Sequence, residues 1–136
     1  MRRIVLPVFT LLATLVAAAP AHAAESTARC DAMLEDADLA RTSLEQMELT
    51  LADLQSEKAT LEQRILELQV DIRFAKVGGN DKVAKKLAAE LKATEKQLGF
   101  VEELRPSIEA QVIALRDSVS STEREYIACI ESTIAH

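Results

Sequence analysis

Apolar residues recur alternately three and four positions apart over a long stretch of the chain that begins at Cys30. This spacing keeps one apolar stripe of a slightly underwound α-helix turned towards a partner helix, so it predicts a coiled-coil arm. Lys58 is the one charged residue in the stripe. The first stripe comprises Cys30, Met33, Ala37, Ala40, Leu44, Met47, Leu51, Leu54, Lys58, Leu61, Ile65, Leu68, Ile72 and Ala75.

A second stripe with the same spacing follows, and it is more polar than the first because Thr94, Arg105 and Thr122 lie within it. No strand-like alternation of apolar and polar residues accompanies either stripe, so the pattern predicts an all-α fold. The second stripe comprises Ala84, Leu87, Leu91, Thr94, Leu98, Val101, Arg105, Ile108, Val112, Leu115, Val119, Thr122, Tyr126 and Cys129.

The two stripes match in one antiparallel register. Antiparallel helices of equal rise pair residues whose numbers have a constant total, and Cys30 with Cys129 sets that total at 159. Each residue of the first stripe then faces one of the second, as Leu51 faces Ile108, and the midpoint falls within Val77–Asp81. The sequence therefore predicts a long antiparallel two-helix coiled-coil hairpin whose open end is closed by a Cys30–Cys129 disulfide.

The predicted turn separates arm one, about residues 27–76, from arm two, about residues 82–134. Gly78 is expected to take the left-handed conformation that ends a helix. Asn80 or Asp81 can accept hydrogen bonds from the first amides of the next helix. A short reversal is therefore sufficient to connect the arms.

Pro106 is the main irregularity of the second arm. A proline inside a helix removes one amide donor and clashes with the carbonyl four residues earlier, which kinks or breaks the helix. We expect a kink near Pro106, because the heptad phase continues from Val101 through Arg105 to Ile108. A break that folds the chain into a three-helix bundle is the alternative.

Residues 1–23 have the pattern of a bacterial secretory signal peptide. Two arginines precede an apolar stretch over residues 4–19, and Ala21-His22-Ala23 has the small-x-small form of a cleavage site. An uncleaved transmembrane anchor is the alternative, but about 20 apolar residues are needed to span a bilayer, and Pro7 interrupts this shorter stretch. We expect cleavage after Ala23 and a periplasmic or secreted mature chain of residues 24–136 without a membrane span.

The charge of the predicted mature chain disfavours nucleic acid as a partner. Without Arg2 and Arg3, 14 basic and 22 acidic side chains remain, so the net charge is −8. Nucleic-acid binding depends on clustered Lys and Arg that neutralise phosphates. A protein partner, or a second copy of the chain, fits this composition better.

Few residues in the predicted mature chain could support catalysis. Its one histidine is the terminal residue, His136, so an ordered Ser-His or Cys-His pair cannot be assembled in the usual way. Cys30 and Cys129 lie far apart without a Cys-x-x-Cys motif, which favours a structural disulfide over redox chemistry or a metal site. We expect no catalytic residues, no cofactor and no metal.

Lys58 and Arg105 allow two interpretations, because the predicted register puts these stripe residues in adjacent layers. They could bind an anionic ligand or the carboxylate of a partner. Alternatively, their alkyl stems cover the seam between the arms while the charged ends reach Glu57, Glu62 or Glu102. The second interpretation is favoured.

Apolar residues outside the stripes are the candidate interaction sites. A two-helix rod buries a narrow strip and is marginally stable alone, so further apolar positions on its outer faces suggest that another helix pair packs there. We expect a homodimer with four helices in cross-section. The candidates are Leu66, Val70 and Phe74 near the turn, and Leu34, Ile127, Ile130 and Ile134 near the disulfide.

The predicted architecture is similar to the long hairpins of periplasmic holdase chaperones and of adaptor proteins in bacterial export channels, although their other domains have no counterpart here. We expect an exported, non-enzymatic helical interaction or scaffold protein of the bacterial cell envelope. The alternatives are a holdase-type chaperone, or an inhibitor or immunity protein that binds a partner enzyme. Fold alone does not decide between them.

Overall fold

The computed structural model describes residues 21–135, and their side chains from residue 28 onwards. Helix α1 spans Ala21–Val77 and helix α2 spans Asp81–Ile134. The two helices pack against each other as an antiparallel hairpin. At about 1.5 Å per residue, each helix is roughly 80 to 85 Å long. The predicted signal peptide falls mostly on residues 1–20, which lie outside the described part.

Side-chain burial follows the two predicted stripes along the whole hairpin. Every stripe residue is buried or half-buried, whereas the residues between them are mostly exposed. In α1, Ser43 and Glu48 are the other half-buried residues among those whose side chains are described. The predicted heptad pattern is therefore confirmed. The buried residues are Cys30, Ala37, Leu54, Leu68, Ile72, Ala84, Thr94, Val101, Ile108 and Val112.

The centre of the hairpin contains a small core cluster. Leu54 of α1 packs with Val101 and Ile108 of α2, and partly buried neighbours from α1 pack against them. The polar group within the seam is also satisfied, because the hydroxyl of Thr94 donates a hydrogen bond of 3.0 Å to the backbone carbonyl of Glu90. The more polar second stripe thus leaves no unpaired hydroxyl at this buried position.

The disulfide lies at the end of the hairpin opposite the turn. Cys30 and Cys129 are bonded, their Cα atoms are 5.7 Å apart, and Cys30 is almost completely buried. The predicted pairing is confirmed, and with it the residue total of 159 that defines the register. The covalent bond fixes the open end of a structure whose other end is fixed by the turn.

Helix α2 continues without interruption through Pro106. The alternative three-helix bundle is therefore wrong. Pro106 is exposed and lies outside the stripe, whereas Arg105 and Ile108 keep their places in the seam. Pro106 therefore replaces no residue of the seam, and the packing between α1 and α2 is preserved.

The turn differs from the prediction in the position of its left-handed residue, which is Gly79 with φ +71° and not Gly78. The reason is that α1 extends to Val77, one residue further than expected. The amide of Gly79 donates to the carbonyl of Lys76 at 3.1 Å, and the amide of Asn80 donates to the carbonyl of Ala75 at 2.8 Å. These two bonds form a Schellman motif, in which the left-handed residue follows the C-cap.

Asn80 also begins the second helix. Its side-chain oxygen accepts a hydrogen bond of 3.3 Å from the backbone amide of Val83, so Asn80 is the N-cap of α2. Of the two predicted caps, Asn80 is confirmed in this role. One residue thus completes the end of α1 and the start of α2, which explains why three residues are enough to reverse the chain.

Two glycine substitutions are expected to change stability in opposite directions. Gly79→Ala should lower the free energy of unfolding by about 1 kcal/mol, because an L-residue is strained in the left-handed conformation. Gly99→Ala should raise it by about 1 kcal/mol through higher helix propensity, since a methyl group at Gly99 meets no atom within 4 Å. Urea unfolding followed by circular dichroism measures both values, and the reverse order would contradict this account of the turn.

Candidate interaction surfaces

Two ion pairs connect the helices along one edge of the seam. Arg41 of α1 lies 2.6 Å from Glu123 of α2, and Arg116 of α2 lies 2.7 Å from Glu48 of α1. The residue numbers total 164 in both pairs, so a slip of one heptad would bring Arg41 opposite Arg116 or Glu48 opposite Glu123. The exposed pairs add little stability. Their alternating charges select this register over its neighbours.

The hydrogen bonds of these pairs also affect protonation. The hydrogen bond to Glu123 raises the pKa of Arg41. Arg64, on the opposite edge of the seam, lies 2.6 Å from Glu90, and this hydrogen bond likewise raises the pKa of Arg64. Arginine side chains are not deprotonated in proteins, so these interhelical contacts do not depend on arginine titration.

Lys58 and Arg105 make ordinary contacts within the hairpin. Lys58 lies 3.3 Å from Glu102 and 3.5 Å from Glu62, which are two of its three predicted partners. Arg105 instead lies 2.7 Å from Glu109, one helical turn further along α2. For Lys58, the favoured interpretation of a seam lysine whose charged end reaches carboxylates at the edge is confirmed. For Arg105 the predicted acceptors are wrong, because its guanidinium pairs with Glu109, which lies four residues further along α2 and was not among them.

The three candidate residues near the turn form one exposed surface, here called the turn-side patch. Leu66, Val70 and Phe74 are 58%, 48% and 73% exposed. They follow one another at intervals of four residues, so they lie on one side of α1, away from its buried stripe. Beside Leu66 and Val70 runs a shallow groove that is also lined by Gln63, Glu67 and Asp71.

The four candidate residues near the disulfide share one edge of the hairpin. Leu34, Ile127 and Ile134 are exposed, whereas Ile130 is half-buried. The numbers of Leu34 and Ile130 total 164, so these residues take the same edge positions as the ion pairs of Arg41 and Arg116. Ile127 and Ile134 flank Ile130 at helical spacing. Ile130, at the centre of this disulfide-end cluster, is less exposed than Val70, at the centre of the turn-side patch.

Further exposed apolar residues were not among the sequence candidates. They could have been found, because each lies outside the stripes, but single exposed apolar residues are common on any surface. Phe100 also carries a polar neighbour, the ammonium group of Lys96, 5.8 Å from the centre of its ring. The additional exposed residues are Leu39, Leu49, Val77, Val83, Phe100, Leu104 and Ile113.

The described part of the chain contains no group of three or more His, Cys, Asp and Glu side chains that could hold a metal ion. Both cysteines are in the disulfide. Within residues 21–135, neither helix has a stretch long and apolar enough to cross a membrane.

Comparison with protein-family models, with curated proteins and with solved structures finds no match to this chain.

Proposed function

We propose that the chain is an exported, non-enzymatic helical interaction or scaffold protein of the bacterial cell envelope, which associates through the outer faces of its hairpin. The turn-side patch is the observation that carries this proposal. Its three large apolar residues are about half exposed or more, and they are contiguous along α1. Solvent-exposed apolar residues that are contiguous, and not scattered, mark association surfaces.

The disulfide supports the proposed location outside the cytoplasm. Cys30 and Cys129 are bonded across a separation of 99 residues, and such structural disulfides persist in oxidising compartments such as the periplasm. The signal-peptide pattern over residues 1–23 supports the same location.

The thin core supports association with a second copy. Within the described residues, nine apolar side chains and Thr94 are buried along a hairpin of two long helices. A pair of helices of this length gains more apolar burial when another pair packs against it. In the proposed homodimer, the turn-side patches of two copies meet about a two-fold axis, because a symmetric contact uses the same surface twice. The contact region then has four helices in cross-section.

Replacing Val70 by Ser and Phe74 by Gln together should separate the proposed dimer without unfolding the hairpin. Neither residue belongs to the buried stripe, so helicity should stay close to that of the wild type. The mass measured by light scattering should fall to that of one chain. Leu39→Ser with Leu49→Gln is the matched control, because these residues are exposed on the same helix but outside the patch.

The control variant should keep the mass of the wild type. A Val70, Phe74 variant that remains dimeric would contradict the proposed interface. If the wild type is monomeric and captures one stoichiometric partner through the patch, the scaffold proposal holds and the homodimer is wrong.

A holdase-type chaperone is the second candidate function. The observation that favours it is the spread of exposed apolar residues over both helices, from Leu39 and Leu49 to Phe100 and Ile113. A holdase would suppress the aggregation of unrelated unfolded proteins, and the loss of one patch would reduce that activity only in part. A scaffold would not protect unrelated proteins and would lose its partner with the patch.

A further inference from the structure

The turn end of the hairpin exposes apolar side chains close to its apex. Val77, the last residue of α1, is 89% exposed, and Val83 in the first turn of α2 is 42% exposed. Neither helix covers these residues, because they lie at the end of the hairpin where a turn of three residues connects the helices. These exposed apolar side chains at the turn end are available to contact another molecule.

Basic side chains surround this apex. Between residues 73 and 86 the chain has five basic side chains and one acidic side chain, Asp81. None of the five forms an ion pair within the part of the chain that the structure describes. The turn end between these residues therefore has a local net charge of +4. The basic residues are Arg73, Lys76, Lys82, Lys85 and Lys86.

The rest of the hairpin has the opposite charge. Elsewhere between residues 28 and 135, nine basic side chains stand against twenty acidic ones. An anionic surface would attract the turn end and repel the remainder of the rod. Since charges further away than the Debye length of about 8 Å are screened at physiological salt, the contact is confined to the last turns of the two helices.

We propose that the turn end of the hairpin docks on an anionic phospholipid surface, with Val77 at the level of the headgroups and the surrounding lysines beside the lipid phosphates. The combination of exposed apolar residues with a basic rim favours this occupant, because interfacial binding adds apolar burial to electrostatic attraction. Nucleic acid would need the lysines but not the valines. A convex end two helices wide also suits a broad surface.

Vesicle co-sedimentation of the oxidised exported protein tests this proposal. Vesicles of phosphatidylglycerol and phosphatidylethanolamine should bind the protein, and vesicles of phosphatidylcholine should not. Lys82→Gln with Lys85→Gln should weaken binding about 25-fold, since each basic side chain near an anionic surface contributes about fivefold. The matched control, Lys92→Gln with Lys96→Gln, removes the same charge beyond the Debye length and should change binding less than about twofold.

A second variant separates lipid from other anions. Val77→Ser should weaken binding to the anionic vesicles about tenfold, because it removes apolar side-chain burial at the interface. Equal binding to both vesicle types, no binding to either, or equal losses in the two lysine variants would each overturn the proposal. A Val77→Ser variant that binds normally while the Lys82, Lys85 variant does not would show that the turn end binds anions in general.

These variants leave Leu66 and Val70 unchanged. Their mass by light scattering therefore tests the dimer separately, and either proposal can fail without the other.

Discussion

Leu68→Asp is expected to unfold the hairpin or to lower its free energy of unfolding by more than about 4 kcal/mol. Leu68 has no exposed side-chain surface and lies in the seam between the helices. A carboxylate at this position would lose its hydration without gaining a partner, and the apolar contacts of the leucine would also be lost. Urea unfolding followed by circular dichroism measures the change.

Gln69→Asp is the matched control for this substitution. It introduces the same side chain one position further along α1, where the wild-type residue is exposed. The control should cost about 0.5 kcal/mol through helix propensity alone. Similar losses in the two variants would mean that the seam does not follow the first stripe.

Removal of the disulfide is expected to produce the second large loss of stability. The bond closes a loop of about 100 residues, which on the chain-entropy model stabilises the folded state by up to about 4.7 kcal/mol. Cys30→Ser with Cys129→Ser should lower the urea midpoint, and amide exchange should become fastest near the freed end. The turn end should keep its protection, because the Schellman motif and the Asn80 cap still connect the helices there.

Reduction of the wild-type protein serves as the control for the serine pair. Dithiothreitol should lower the midpoint of the wild type to that of the Cys30→Ser, Cys129→Ser variant and should leave that variant unchanged. Thiol labelling of the denatured, unreduced protein should detect no free cysteine. Two reactive cysteines in protein isolated without reductant would contradict the disulfide.

The pairing of the helices could be predicted because both apolar stripes lie in the same chain and have the same heptad spacing. One constraint, the alignment of Cys30 with Cys129, fixes every layer once the rise per residue is the same in both helices. The stripe identifies the buried positions directly, including Thr94, which a reading by hydrophobicity alone would exclude. Agreement between cysteines, turn and heptads is the kind of consistency across levels that specifies one fold.

The details that the sequence did not predict depend on single hydrogen bonds. Whether Gly78 or Gly79 becomes left-handed depends on whether α1 ends one residue earlier or later. Both positions are glycine, so the residue type does not distinguish them. Arg105 could reach carboxylates on either helix, and side-chain rotamers decide for Glu109. Such local choices do not alter the periodic pattern from which the fold was predicted.

The sequence predicted the interaction surfaces in less detail than the fold. The apolar residues outside the stripes are visible in the sequence. Unlike the two stripes, however, they have no complementary pattern elsewhere in the chain with which they can be paired. Leu66, Val70 and Phe74 were selected because they are contiguous, whereas Val77 and Val83 gained importance only when the turn placed them beside unpaired lysines. A surface consists of residues that are close in space, and the hairpin brings together residues from both helices.

Photocrosslinking in cells that produce the protein tests most directly whether the hairpin associates through the turn-side patch. A benzoylphenylalanine residue is placed at position 66, or at position 49 as a control on the same helix that is slightly more exposed. The account predicts that position 66 gives a covalent adduct with the mass of two chains and that position 49 gives none. Equal adduct formation at both positions, or no adduct at position 66, would contradict it.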